Sequence, residues 1–574
     1  MQHQIKYIIV FFLGSISVLA QERDKDTIDT QVVNVIKPYT PTISDAFKVK
    51  EVPTVNQDTT LKKRPVRYNI FSIPVASTFT PAKGKAADVE KEEPIKLFDN
   101  YASLGVGTYT TILGEVYLNH AINRTERVGG YFSHHSSAGG IENLLLDDNF
   151  SLTQLNANYS RKLRDYSWKV DLGFSRQVAN WYGLPPVSFN QTTASMIDPE
   201  QVYSSFYAGG KLNFQDGIIK SGKVKFRRFY DSDDSGENRF IANTVLNIPI
   251  QGETINTEIN VDYIGGNFNR TFNSNTELNY GNINVGLAPS YQLTQDDLTV
   301  NLGINMVYLN DTEASKNKFF IYPNITASYR LVNDLLIAFA GIEGGLIQNS
   351  YHDFVQTNPF VSPTLIVAPT DQRYNTSLGI KGKLSNAVSY KVSGHYIADE
   401  AKPLFRANSV LTGATEDYQY GNSFQVVYDD VKTFSIAGEL NVDVNRNFTL
   451  GLKGEYFGYN TDTQAEAWNL PDIKGSAFID VQIDRHWFAG ASVFYVGERK
   501  DLYSELGSLT MPIDTVITLD SFIDANAHLG YRINDQFSAF VKGNNLFNQD
   551  APRWQNFPVQ GIQFLAGLTY QFDF

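Results

Sequence analysis

From Phe98 to the C-terminus, apolar and polar residues alternate with a period of two. Ile255, Thr257, Ile259, Val261 and Tyr263 alternate with Asn256, Glu258, Asn260 and Asp262. Leu298, Val300, Leu302, Ile304, Met306 and Tyr308 alternate with Thr299, Asn301, Gly303 and Asn305. Phe434, Ile436, Gly438, Leu440, Val442 and Val444 do the same against Ser435, Ala437, Glu439, Asn441 and Asp443. This period predicts β-strands with one apolar and one polar face. The predicted strands are long, about 10 to 14 residues, and no helical pattern interrupts them for roughly 475 residues.

The connections alternate in length. Short polar turns recur at Asn123–Glu126, Leu163–Asp165, Gln251–Glu253, Gln295–Asp297, Val332–Asp334, Ser385–Ala387, Asn445–Asn447, Asp484–His486 and Asn534–Gln536. Between them lie longer segments, Gly183–Glu200, Asn349–Asp371, Asp399–Tyr418, Lys500–Thr518 and Asn548–Val559. A soluble sandwich also alternates. It does not run so far, and it does not alternate short turns with long loops as a membrane barrel does. Counting crossings gives about 22, with Phe424–Val444 taken as one bulged strand. The expected fold class is therefore all-β: a transmembrane antiparallel β-barrel preceded by a short irregular N-terminal periplasmic segment. An even strand count places both chain ends on the periplasmic side.

The N-terminus has a different pattern. Lys6 supplies a positive charge, Ile8–Ala20 is an apolar run of 13 residues, and Val18 and Ala20 stand before a small-residue cleavage point that leaves Gln21 first. This reads as a cleaved signal peptide, since a spanning helix needs about 20 apolar residues. Residues 21–97 are rich in Lys, Glu, Asp, Pro and Thr with little periodicity, which predicts an extended periplasmic or plug-like lumenal segment. The expected organisation is thus a signal peptide at 1–20, that segment at 21–97 and the barrel at 98–574.

Composition sharpens this picture. The 574 residues include 32 Tyr and 38 Phe, yet mean hydropathy is −0.25. Many aromatics in a polar chain suit a barrel with interfacial girdles and a wet lumen. No later run is apolar enough for a spanning helix, so a membrane protein of this sequence must close its strands into a barrel. There are no cysteines, which removes thiolate metal sites, disulfides and thiol nucleophiles. A net charge of −13 without a basic stripe argues against nucleic acid as a partner.

The chain ends GIQFLAGLTYQFDF, with Ile562, Phe564, Ala566, Leu568, Tyr570, Phe572 and Phe574 on one face. Gly567, Tyr570, Phe572 and the terminal Phe574 resemble the β-signal read by barrel-assembly machinery. The run Val541–Phe547, VKGNNLF, with the glycine-led final strand after it, resembles the last hairpin of TonB-dependent receptors. That resemblance implies a barrel of about 22 strands for uptake or transport of a solute, in the outer membrane of a Gram-negative-type bacterium. Its specific motif covers about the last 35 residues. Residues 21–97 are half the length of that family's plug, so the resemblance implies a shortened or absent plug domain. Within them Asp26, Thr27, Val32 and Val33 resemble a TonB box, which pairs with TonB by strand addition; the same residues also read as a linker. The implied partners are outer-membrane lipid, the assembly machinery, and TonB or a lumen-capping protein.

Other candidates are weaker. Asp231–Glu237, DSDDSGE, resembles the start of a calcium loop, but position twelve is Ala242 instead of a bidentate glutamate. His134 and His135, adjacent on a strand, point to opposite faces, which suits a lumenal histidine better than a shared metal. Lys223, Lys225 and Arg227 share a face, either as an anion-attracting ladder or as lumenal polarity balanced by facing carboxylates. Trp168, Trp181, Trp468, Trp487 and Trp554 fall near strand ends or loops, as interfacial anchors do. No hydrolase, zinc-protease or phosphate-loop motif occurs. No cofactor, metal site or catalytic residue is expected, and an enzyme is disfavoured. The alternative to a transport barrel is a structural subunit of a larger outer-membrane complex, for secretion or barrel assembly.

Overall fold

The computed structural model describes residues 97–574, except 186–188, 190, 445–446, 507–511 and 550 and the side chains of 504–506 and 512–513. The expected signal peptide, the Ala20/Gln21 cleavage point and the TonB-box-like residues Asp26, Thr27, Val32 and Val33 lie outside the described residues.

Twenty-two antiparallel strands form one sheet. The first, Asn100–Gly107, pairs with both the second, Ile112–Ala121, and the last, Gln563–Phe572. The sheet therefore closes, and every strand edge is satisfied, which is the condition for strands to cross lipid. Closure brings Gly105 opposite Gly567. A methyl group on Gly567 would fall 2.4 Å from the Leu104 carbonyl oxygen and 2.4 Å from the Phe540 ring. The seam thus needs this glycine so that Phe540 can lie across it.

On most strands the exposed apolar side chains sit on one face. Val170, Leu172 and Phe174 on the fifth strand, Tyr166–Asn180, and Val224 and Phe226 on the seventh, Ile219–Asp231, are examples. Their polar neighbours point inward, where Arg227 touches the loop folded into the lumen. The outer faces are lipid-facing, since a large continuous apolar surface has no other favourable partner. Among the described residues no helix is long and apolar enough to cross a membrane.

The predicted short turns among the described residues lie on the rim that also holds the start of the first strand and the end of the last. Such turns face the periplasm in barrels of this kind, and we call this rim inner and the opposite rim outer. An additional inner turn joins Phe214 to Ile219. One prediction needs correcting: Phe424–Val444 is a single strand, but the bulge lies in its partner, Val388–Ala407. Asp399 pairs with Val431 and Lys402 with Asp429, leaving one extra residue in the partner. Ala401 takes φ 53° there, and Lys402 folds back onto Asp399 at 2.9 Å.

Candidate functional site in the outer lumen

The outer connections do not stand free. Residues 348–369, between Leu336–Ile347 and Thr370–Ser385, fold back into the barrel mouth and carry a helix, Tyr351–Thr357. Two turns of helix have no stability of their own in water. Ser350 caps this one, its hydroxyl accepting from the Asp353 amide at 3.1 Å. The remaining support comes from the barrel wall.

Tyr351 is fully buried against Phe229, at 5.1 Å between ring centroids, and Phe268, at 4.9 Å, both edge to face. Its hydroxyl donates to Asp231 Oδ2 at 2.7 Å, and its amide donates to Glu237 Oε2 at 2.6 Å. Glu237 has no exposed surface and also accepts from the Tyr280 hydroxyl at 2.9 Å. A buried carboxylate needs partners of this kind.

Two arginines complete the anchor. Arg239 holds Asp262 with both forks, at 3.0 and 2.7 Å, and reaches Asp353 Oδ2 at 3.0 Å. Arg227 reaches Glu237 at 3.3 Å, Asp353 Oδ1 at 3.4 Å and the Ser350 hydroxyl at 3.1 Å. Burial opposes ionisation of Asp353, but the His352 hydrogen bond and the Arg227 charge hold its carboxyl well below the usual range. The Arg227 end of the predicted ladder is therefore committed to the folded-in loop. Arg239, Asp262, Glu237 and Asp353 do not stand out as a group in the sequence because they lie on three separate segments, Gly236–Ile250, Glu253–Phe268 and the folded-in loop. The local signal was Ser350 followed by Asp353, a helix start inside a long loop.

Beyond the helix the outer loops share one apolar core. Phe360 stacks on Phe557 at 3.9 Å, Tyr182 lies 4.9 Å from Phe557, and Trp554 packs on Phe405 and Phe424. Phe424 exchanges backbone hydrogen bonds with the folded-in loop, from its amide to Phe360 and from Ser362 to its carbonyl. Asn422 Nδ2 donates to the Trp181 carbonyl at 2.9 Å, and Trp181 meets Tyr418. These contacts join the described residues of 181–199, 348–369, 408–423 and 545–562 into a cap over the outer mouth.

This corrects the tryptophan assignment. Trp181 and Trp468 are 2% exposed and Trp554 8%, so these three are buried under loops and not at an interface. Trp487 fits the interfacial reading, 41% exposed at the inner rim against Tyr531. The acidic run does not converge either. Asp231 accepts from Tyr351 and from the amides of its own turn, Asp233 accepts from Gln201, and Glu237 faces Arg227. Among the described residues no group of three or more His, Asp or Glu is placed to hold a metal ion. His134 lies between the Thr153 and Ser136 hydroxyls, while His135 meets the Phe150 ring.

The terminal residues sit at the inner rim. Tyr570 stacks with Phe572 and packs on Phe537, and Phe574 touches Phe572 and His120. Gly567 lies on the opposite, inward face at the seam.

No protein-family model matches the chain, and no curated protein matches it in sequence. Solved structures do. The FrpB iron transporter from Neisseria meningitidis aligns with TM-score 0.63 and 10% identity over 83% of this chain and 82% of its own. The siderophore receptor PirA from Acinetobacter baumannii aligns with TM-score 0.61 and 11% identity, over 84% and 81%. The ferric-catecholate import receptor Fiu from E. coli K12 aligns with TM-score 0.60 and 11% identity, over 83% and 82%. The chain has the barrel fold of these receptors.

Proposed function

We propose that the chain is an outer-membrane receptor barrel that takes up a solute, in the manner of TonB-dependent receptors. The observation that carries this reading is the closed 22-stranded barrel with its likeness to iron and siderophore receptors. The neighbours named above are transport receptors, not enzymes, and none is a secretion or assembly subunit, so the structural alternative gains nothing from them.

In this reading the cap is the outer recognition surface and closes the route until a solute loosens it. The Asp353 anchor is its point of attachment to the wall. TonB is the proposed energy-coupling partner, engaging Asp26, Thr27, Val32 and Val33 by strand addition. Signal cleavage after Ala20 and recognition of Gly567, Tyr570, Phe572 and Phe574 by the assembly machinery belong to the same reading.

The test is single-channel conductance in planar bilayers. The intact chain is expected to be silent, and removal of residues 349–369 together with 21–96 to open a large pore. A wide pore in the intact chain would refute a self-closed receptor. A pull-down with the TonB C-terminal domain, lost on deletion of residues 26–33, tests the coupling.

A further inference from the structure

Below the cap the lumen wall carries a row of cations. Residues paired directly across antiparallel strands point to the same face. Arg127 pairs with Ser160, Ser160 with Lys169, Lys169 with Lys211, Lys211 with Lys223, and Lys223 with Asn243. These six residues form one tier over six neighbouring strands. Val170, Leu172, Phe174, Phe206, Val224 and Phe226 mark the opposite, lipid-facing side of the central three strands. The tier therefore faces the lumen, three residues in from the inner end of the fifth strand.

Like charges placed directly opposite are destabilising. Here three lysines stand side by side, about 5 Å apart from strand to strand, and Lys225 stands one tier above them. Among the described residues none of Arg127, Lys169, Lys211 and Lys223 makes an ion pair, and all four are exposed to the lumen. Lys225 lies over the Tyr207 ring at 4.5 Å. The carboxylates facing this patch are few. Asp171 sits one tier up beside Gly209, and Glu258, two strands beyond Lys223, is bonded to Asn243. Asp165 and Asp216 lie in the turns at the rim. Asp353 on the folded-in helix also faces Lys225. Five cations against these three lumenal carboxylates leave a local excess of positive charge in a chain whose total is −13.

We propose that Lys169, Lys211 and Lys223, flanked by Arg127 and Lys225, form a lumenal binding site for a compact polyanion bearing two or more phosphate or carboxylate groups. Three ammonium groups in a row span about 10 Å, the reach of a tri-anion. An anion lowers the repulsion among the lysines, and the Ser160 hydroxyl adds a donor beside Lys169. As a station on the solute's path the site rests on the uptake reading; as a binding site it does not.

Isothermal titration calorimetry on the full chain in detergent tests it with two probes, tripolyphosphate and citrate. Saturable binding of the first alone assigns the site to phosphate-bearing solutes, and of the second alone to carboxylate-bearing ones. The affinity should fall steeply from about 50 to about 500 mM salt. The triple change Lys169→Gln, Lys211→Gln, Lys223→Gln should weaken binding at least about tenfold per lost contact. The corresponding triple arginine variant should retain it. Unchanged heat-dependent gel mobility of the triple glutamine variant shows that the barrel is intact. Saturable binding of neither probe, or binding that survives the glutamine changes, overturns the site. Binding that persists in a chain unable to take up any solute would count against the uptake reading alone.

Discussion

Arg239 and Asp353 meet at 3.0 Å, one on the barrel wall and the other on the helix folded into the mouth. Arg239 is already held by Asp262, so its position does not depend on the loop. The loop therefore docks onto a preset cation. Asp353→Ala removes this contact and the one to Arg227, and leaves both arginines short of a partner. The Asp353 side chain is 48% exposed, which reduces the loss well below that of a fully buried pair, to about 2 kcal/mol. Amides of 351–357 should exchange with solvent faster by roughly the corresponding tenfold or more, with the barrel strands unaffected. Unchanged exchange would mean that the aromatic contacts alone hold the loop.

Tyr351 separates those two contributions. Tyr351→Phe keeps the ring among Phe229, Phe268 and Tyr203 but leaves Asp231 Oδ2 without its donor, Oδ1 keeping the two turn amides. The expected loss is about 1–3 kcal/mol. Tyr351→Ala also empties the ring's place, for about 3–5 kcal/mol. Limited proteolysis of 348–369 should rank wild type, Phe and Ala in that order. Equal protection in all three would place the loop's anchor elsewhere.

The strands and their orientation were legible because the signal is local. Each residue's face follows from its parity, and Val224 against Lys225 reads the same in sequence and structure. The cap was not legible, because its core joins residues hundreds of positions apart, such as Tyr182 with Phe557. A tryptophan at a strand end has two destinations, the lipid interface or the underside of a loop. Only the folded path of the loop decides, as it does for Trp181 against Trp487. The bulge was placed on the wrong strand for a related reason. Phe424–Val444 is long enough to need a partner of matching length, and the extra residue can sit on either side. The lysine tier was half visible: Lys223 and Lys225 share a parity, but Lys169 and Lys211 join them only through register.

The seam at Gly567 predicts an assembly phenotype. Gly567→Val would drive its side chain into the Leu104 carbonyl and the Phe540 ring, between the first strand and the last two. Overpacking of this kind costs about 1–3 kcal/mol or more where backbone is struck. Gly114→Ala is the control, since nothing lies within 4 Å of its added methyl group. The valine variant should lose heat-modifiable, membrane-inserted barrel while the alanine variant accumulates normally. Equal yields would show that the seam can spread to admit a side chain.

The hairpin Arg499–Leu506 with Pro512–Leu519 stands outside the barrel sheet. Arg499 donates to the Pro552 and Arg553 carbonyls of the cap, and the buried Asp501 joins the hairpin to the end of Val388–Ala407 and to Asn469. Asp501 accepts from the Ala407 amide at 3.0 Å, the Leu502 amide at 2.8 Å and Asn469 Nδ2 at 2.7 Å. Burial nevertheless pushes its carboxyl up to about 6, although these hydrogen bonds and the facing Arg406 charge pull the other way. A pKa above the free-chain value of about 3.9 means that docking favours the neutral form. Its contribution is complete below about pH 4, declines as pH rises to about 6 and is absent above that. Between pH 4.5 and 7.5 the hairpin should lose on the order of 2 kcal/mol of docking stability. Protection factors of amides 499–503 and 514–519, corrected for the pH dependence of chemical exchange, measure this directly. In Asp501→Asn no charge forms, so the same protection should become flat with pH. A wild-type profile that is already flat would mean that Asp501 stays ionised in the fold, with its three donors and Arg406 outweighing burial.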